Sequence, residues 1–471
     1  MITYSLVTLI LTVLLSVYLA WKQSDKLWAF LLLSSAASVP VLTVPGVPFG
    51  LRVFQVLTLV FTAVFLTQRN LSHALFGPLV WAFGLGALSI GGITLIGGAF
   101  PLQHAKEIIS LCLLALGCAV AWQSMRTTQV TTDCVAGVAR IMLTVLGVIA
   151  LVENLAFEAA QNFSVMPGRP NGLLPEADWF GGVLAVLLIA ALPSLFRAVE
   201  GYATRVYQIL PILLGTIALI LTVSRSAWLA YVVGLVCLLV FIYTTAGTRK
   251  WLLGTVSLIL ITLAAYSTVS LSHLTRFPLL QRAASTVTGE QIVTLACPPK
   301  SAPNATVNVA DPSTLGGCIH ITLEEREARI KAGYTLYQRP QSDPNIQTRS
   351  RIYSTVVAAL VQAPIANQLF GFGFGTSTAI LGVDGRGEQL NASNVFLEVT
   401  YSMGALGLLA LLCLLWLVAK RAATWWLTSD TRAPVFLAVV AATGVFSMFN
   451  ATYLLLTPVV LIFVLYHTDP S

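Results

Sequence analysis

The sequence predicts an all-α polytopic membrane protein of about 12 to 13 transmembrane helices, with one large loop facing outward. Three observations predict it. Of 471 residues, 57% are hydrophobic and only 10% are charged, whereas a soluble domain carries about 25% charged residues. Apolar runs of about 20 residues, each able to cross ~30 Å of hydrocarbon, recur along most of the chain. The basic residues behind the net charge of +7 are spread over short connections between those runs rather than gathered in one patch. That spacing fits lipid topology and argues against a nucleic-acid surface.

In order, spans are expected near 3–20, 27–44, 51–67, 76–99, 106–123, 135–156, 179–198, 207–223, 227–246 and 251–270, then 395–418, 434–448 and 451–467. The last two read equally as one broken helix. The opening "MITYSLVTLILTVLLSVYLAWK" lacks a basic leader and a small-residue cleavage site, and reads as a first span. These boundaries divide the chain into 1–270 (transmembrane helices with short loops), 271–393 (a large extracytoplasmic loop domain) and 394–471 (C-terminal transmembrane helices).

Sidedness follows from lysine and arginine in the short loops. With 271–393 outside, the inner connections hold Lys22, Lys26, Arg69, Arg126, Arg197, Arg205, Arg249, Lys250, Lys420, Arg421 and Arg432. The outer short connections keep Arg52, Lys106, Arg169 and Arg225. The opposite orientation would invert the bias.

No Walker motif, GxGxxG nucleotide loop or zinc-type cysteine spacing occurs, so an ATP-driven pump has no visible engine, and no cofactor or metal is expected. Five cysteines lie in or beside apolar spans and read as small buried hydrophobes. Cys297 and Cys318 share the only long polar segment, where a disulfide is expected if that segment is extracytoplasmic.

Within the outer segment, "CPPKSAPNATVNVADPSTLGGC" is rich in turn formers and reads as an irregular lobe. "TLEEREARIKAGYTLY" reads as a surface helix capped by Thr322, with Glu325 three positions on. Arg349 and Arg351 open an amphipathic helical stretch that Pro364 breaks. Gly371, Gly373 and Gly375 follow; they read either as a backbone cradle for phosphate or as a bend returning the chain to the membrane.

Arg225, in "TVSRSAWLAY", interrupts two long apolar runs, where a charge is expensive. A lone arginine there would read as a snorkelling side chain or a donor to loop carbonyls. It is accompanied at the outer face by Arg169, Arg349 and Arg351. Several guanidinium forks at one face suit an anion with many oxygens, and phosphate above all. In an outward-facing membrane protein without ATP, such phosphates belong to lipids, a polyprenyl-diphosphate-linked sugar among them.

At these residues the chain resembles the O-antigen ligase and polymerase superfamily of bacterial envelopes. "SRSAWLA" at 224–230 is similar to its Ser-Arg-Gly/Ser-x-Trp-Leu element. "RIYSTVVAALVQAPIANQLFGFGFGTS" at 351–377 is similar to its Arg-led helix ending in a glycine-rich turn. "SNVFLEVTYSMGALG" at 393–407 is similar to its His-Asn motif with two later glycines, with Asn394, Gly404 and Gly407 in register. "GRPNGLLPEADWFGG" matches a family loop more loosely. The family histidine is here Ser393, whose hydroxyl can orient an acceptor but is no base at its ordinary pKa.

The resemblance implies a GT-C-like glycosyltransferase in the bacterial inner membrane, taking glycan from an undecaprenyl-diphosphate donor and passing it to a glycan or lipid-sugar acceptor. In that reading Arg225 and Arg351 bind the diphosphate, and Arg169 and Arg349 assist. Ser393, Asn394, Gly373 and Gly375 belong to the substrate site, and other polysaccharide-assembly proteins are candidate partners. Glu176 and Asp178 are candidate bases, or else charge-balancing partners of Arg169; Glu398 is a further candidate. The alternative is a transporter or binding protein for a small anion such as bicarbonate, which would show broken helices near mid-membrane and an inverted repeat.

Overall fold

The computed structural model describes residues 2–37, 40–43, 50–67, 102–126, 128–156, 168–196, 202–246, 248–275, 277–297, 319–320, 325–373, 376–382, 391–428, 430, 432–450 and 456–468. Among them, seven helices are long and apolar enough to cross a membrane, and four shorter apolar helices accompany them. The protein is an all-α polytopic membrane protein.

The first helices are α1 (Ile2–Lys22), α2 (Leu27–Ser35) and α3 (Val53–Thr67). The expected span 27–44 is corrected here. Helix α2 stops at Ser35, and the chain forms a small antiparallel hairpin, β1 (Pro40–Thr43) with β2 (Gly50–Arg52). Pro40, Pro45 and Pro48 remove the backbone donors that a continuing helix needs. The expected span 76–99 lies outside the described residues.

Next come α4 (Leu102–Arg126), α5 (Thr132–Leu155), α6 (Ala177–Ala191), α7 (Tyr202–Leu221), α8 (Arg225–Ala246) and α9 (Thr248–Leu271). Helix α6, "ADWFGGVLAVLLIAA", is apolar all round, the pattern of a helix surrounded by others. Continued by a 3-10 turn to Phe196, it is the bundle's centre, with 89% of its span buried against 22–50% for the other long spans. It packs on α5, α7 and α8. Small residues allow the close approach: a β-carbon on Gly181 would lie 2.7 Å from Ala227 of α8. By contrast, Leu252, Leu253, Val256, Ile259, Leu260 and Leu263 of α9 are exposed, as a lipid-facing stripe requires.

The long polar segment begins with α10 (Leu279–Thr288), followed by β3 (Glu290–Cys297), β4 (Ile319–His320), α11 (Glu325–Lys331), β5 (Thr335–Ser342), α12 (Pro344–Gln362) and α13 (Ile365–Phe370). The lobe is more regular than its composition suggests, because β3 pairs antiparallel with β4 on one side and with all of β5 on the other. Pro340 is tolerated because β5 forms the sheet edge. The chain then enters α14 (Val395–Leu427), α15 (Ala433–Ser447) and α16 (Leu456–His467). The last two are separate helices, with α15 packed beside α8 and α6.

Cys297 is buried and disulfide-bonded; its expected partner, Cys318, lies outside the described residues. Cys297→Ser is expected to cost the lobe about 2–4 kcal/mol. Mass mapping of unreduced protein checks the linkage, and two free thiols in protein from an oxidising compartment would refute it.

Candidate functional site

The turn between α7 and α8 builds the site. Thr222 Oγ donates to Leu219 O at 2.8 Å and accepts from the Ser224 N–H at 3.3 Å. Ser224 Oγ accepts from the Ala227 N–H at 3.4 Å, a long cap for the start of α8. Between them, buried Val223 is held at φ 51°, a conformation that costs a β-branched residue about 1–3 kcal/mol. Asn450, just past α15, donates to Ser226 Oγ at 3.2 Å. The turn is therefore fixed from both sides, and Arg225 leaves it in the first turn of α8.

Arg225 opens onto a cavity of about 260 Å³, also lined by Arg169, Arg282, Arg349, Asp178 and Phe449. Four arginines and one carboxylate give the lining a surplus of positive charge. The cavity is below the ~300–1,000 Å³ of drug-sized pockets and matches a compact anionic headgroup better. Arg169 Nε donates to Thr222 O at 2.7 Å, and its Nη2 pairs with Asp178 at 2.7 Å. Arg225 Nη1 donates to Ser285 Oγ of α10 at 3.1 Å and pairs with Asp343, which is fully buried behind it. The Arg349 guanidinium lies 5.6 Å from the Phe449 ring centroid, a cation–π contact that keeps its planar face ordered. Burial, then the positive charges of Arg225 and Arg169, push the Arg282 pKa down, while Asp343 and Asp178 oppose them.

The structure brings together Arg169, Asp178, Arg225 and Arg349 from the expected set. Arg351, expected beside Arg225, is instead exposed on α12 and is not among the residues lining this cavity. Two residues along a helix are about 200° apart, so Arg349 and Arg351 cannot face one ligand together. Glu176 takes the N-cap position of α6 and its carbonyl accepts from the Phe180 N–H at 3.1 Å; it does not line the cavity. Asp178 does, as the ion-pair partner of Arg169.

The residues around α14 serve its entry. Asn394 caps the helix, accepting from the Phe396 and Leu397 N–H groups at 2.9 and 3.2 Å. Ser393 has φ 50°, and its carbonyl accepts from the Tyr353 hydroxyl at 3.4 Å. Glu398 is buried, and its carboxylate accepts from the Ala392 N–H at 2.8 Å, which removes it as an accessible base. Gly373 is also corrected. Its N–H donates to Ser402 O at 2.9 Å and that of Phe372 to Tyr401 O at 2.8 Å, so these groups do not cradle phosphate. Gly375 lies outside the described residues. Among those residues, no group of three or more His, Cys, Asp or Glu side chains is placed to hold a metal ion.

Sequence reasoning missed Arg282, Asp343 and Glu153. Asp343 had a signal, since Asp-Pro ahead of an amphipathic stretch marks a helix start. Glu153 had none. Buried near the end of α5, it accepts from the Asn171 and Gly172 N–H groups, each at 3.0 Å, and so shapes the loop that carries Arg169. Glu153→Ala leaves two buried donors unmet and is expected to cost about 2–4 kcal/mol. Thermal unfolding of the purified variant checks this, and an unchanged midpoint would refute the role.

Fold and site together define a multi-pass membrane protein with an arginine-lined cavity. Residues 210–412 match the family model described as O-antigen ligase, so over that region the chain is similar to the O-antigen ligase and polymerase superfamily. The matched region includes Arg225, Arg282, Asp343 and Arg349; Arg169 and Asp178 lie before it. That similarity supports a membrane glycan-handling function of the ligase or polymerase type. No curated protein matches the chain significantly.

Proposed function

We propose that the protein is a metal-independent, GT-C-type glycosyltransferase of the bacterial inner membrane, acting at the outer face on an undecaprenyl-diphosphate-linked glycan. The observation that carries this reading is the convergence of Arg169, Arg225, Arg282 and Arg349 on one small cavity. Guanidinium forks match diphosphate oxygens and stay charged at any relevant pH. The outward placement is supported by the loop charge bias and by a disulfide in the lobe, which belongs to an oxidising compartment.

In the proposed reaction, an acceptor hydroxyl oxygen attacks the anomeric carbon from the face opposite the diphosphate, giving inversion. The bond from that carbon to the diphosphate oxygen breaks, and its electron pair stays on the diphosphate. Arg225 and Arg349 stabilise the charge that develops there, the dominant requirement for such a leaving group. The hydroxyl proton passes to a carboxylate, and Asp178 is the one that lines the cavity. Ser393 in place of the family histidine leaves this chain without that general base.

The test is transfer by purified protein in lipid, from a lipid-linked donor to acceptor glycan, with a chelator present. Coupled product and free undecaprenyl diphosphate are expected. Bicarbonate flux through proteoliposomes without any transfer would overturn the enzyme reading in favour of an anion carrier. Among products, glycan joined to a lipid-sugar acceptor marks a ligase, and lengthened donor-linked chains mark a polymerase.

A further inference from the structure

We propose that Asp343 is a positioning residue that orients Arg225 and sets the anion affinity of the cavity. The inference rests on the diphosphate-site reading above. The Asp343 side chain has 0% exposure, so it acts on a ligand through the groups it bonds, and Arg225 is the one that lines the cavity.

The bonding at Arg225 is one-sided. Both Asp343 and Ser285 bond Nη1, while Nε and Nη2 have no protein partner among the described residues. Arg–carboxylate pairs are frequently bidentate, whereas this one engages a single guanidinium nitrogen. Here one nitrogen is anchored, and the remaining fork stays available to a ligand.

The anchor also joins the elements that supply the other arginines. The Asp343 N–H donates to Gly289 O at 2.9 Å, just past α10. Its carbonyl accepts from the Ile346 and Gln347 N–H groups at 3.0 and 3.2 Å, starting α12, which carries Arg349. Ser285 Oγ in turn donates to the carbonyl of Arg282 at 2.9 Å. One residue therefore ties Arg225 of the membrane bundle to the two lobe helices that bring Arg282 and Arg349: its carboxylate holds the arginine, and its backbone bonds the end of α10 and the start of α12.

Its charge matters as much as its shape. Four guanidinium groups around one small cavity repel each other: the Arg282 pKa, lowered first by burial, is lowered further by Arg225 and Arg169. Asp178 lines the cavity and is partly exposed, whereas Asp343 is sealed behind Arg225. A fixed negative charge in that place offsets the repulsion. It also weakens the grip on a diphosphate, which a transferase has to release after each turnover.

The two roles separate by substitution, using calorimetric binding of inorganic pyrophosphate to the purified full chain in lipid. Asp343→Asn keeps an oxygen to accept from Arg225 but removes the charge, so pyrophosphate should bind about tenfold tighter. Asp343→Ala removes acceptor and charge together and frees the arginine, so binding should weaken severalfold despite the more positive cavity. A purely structural role predicts weaker binding in both. Folded Asp343→Asn protein that binds no tighter than wild type overturns the inference.

If Asp343→Asn does not fold, Ser285→Ala still decides. It removes one of the two anchors on Nη1 and should weaken pyrophosphate binding two- to fivefold, and unchanged affinity overturns the proposal. Wild-type protein that binds no pyrophosphate would instead defeat the diphosphate-site reading itself, a result distinct from either variant's behaviour.

Discussion

Arg225→Ala is expected to lower glycan transfer by about 10²–10³-fold while the spans stay folded. A glycosyl diphosphate carries its own activated leaving group, so the barrier is lowered mainly by donors already aimed at the developing charge. Losing one such donor typically costs that factor. Arg225 qualifies because Asp343 and Ser285 hold one nitrogen and leave the rest of the fork facing the cavity. Lysine keeps the charge without the fork and should rescue only partly. Arg349→Ala should fall in the same direction. Arg351→Ala, on the exposed side of α12, should stay within severalfold of wild type. Ser393→Ala should also be mild, since this chain positions its acceptor without the family histidine. Initial rates with purified variants and a lipid-linked donor check the series. Full activity in Arg225→Ala would sink the transferase reading of this cavity, and a defect in Arg351→Ala equal to that of Arg225→Ala would reverse the assignment of the two α12 arginines.

That reversal shows where the sequence stops being informative. The turn at 222–224 was legible because a charge between two apolar runs needs a reason wherever it sits, and Arg169 was legible as one of several arginines expected on the same face. Which of Arg349 and Arg351 faces the cavity depends on the rotational phase of α12, and nothing local to the pair sets that phase. Asp343 sets where the helix begins, and the buried pairing with Arg225, 118 residues away, sets how it is turned. The sheet of the lobe was obscured by the turn-forming stretch between its strands and by Pro340, which only an edge strand accepts. Glu153 was invisible for a different reason. Its partners are backbone N–H groups, which leave no trace in composition or motif. The glycine series misled most, because glycine marks both close approach to a ligand and close approach of two backbones.

The second reading of those glycines predicts a large effect from one methyl group. Helix α14 breaks at Gly404, where φ is 67° and ψ −163°, so it stops accepting its own N–H groups in the preceding turn. The freed carbonyls of Tyr401 and Ser402 are taken by the N–H groups of Phe372 and Gly373, at 2.8 and 2.9 Å. At the crossing the two chains touch backbone to backbone. A β-carbon on Gly404 would lie 2.3 Å from the carbonyl of Leu369, and one on Gly371 would lie 2.4 Å from Met403 N. Neither chain can yield by turning a side chain, and both glycines have positive φ. Gly404→Ala therefore adds strain of about 1–3 kcal/mol and loosens two buried hydrogen bonds at about 1 kcal/mol each, a total of about 3–5 kcal/mol. Gly444→Ala is the matched control: that glycine lies inside α15 with nothing near its missing β-carbon, so alanine should be neutral or stabilise by up to about 1 kcal/mol. Unfolding midpoints and monodisperse yield compare the two directly. Gly404→Ala as stable as the control would refute the clasp. Gly404→Ala that folds normally yet no longer binds pyrophosphate would restore the phosphate-cradle reading, because the methyl would then be interfering with a ligand and not with a crossing backbone.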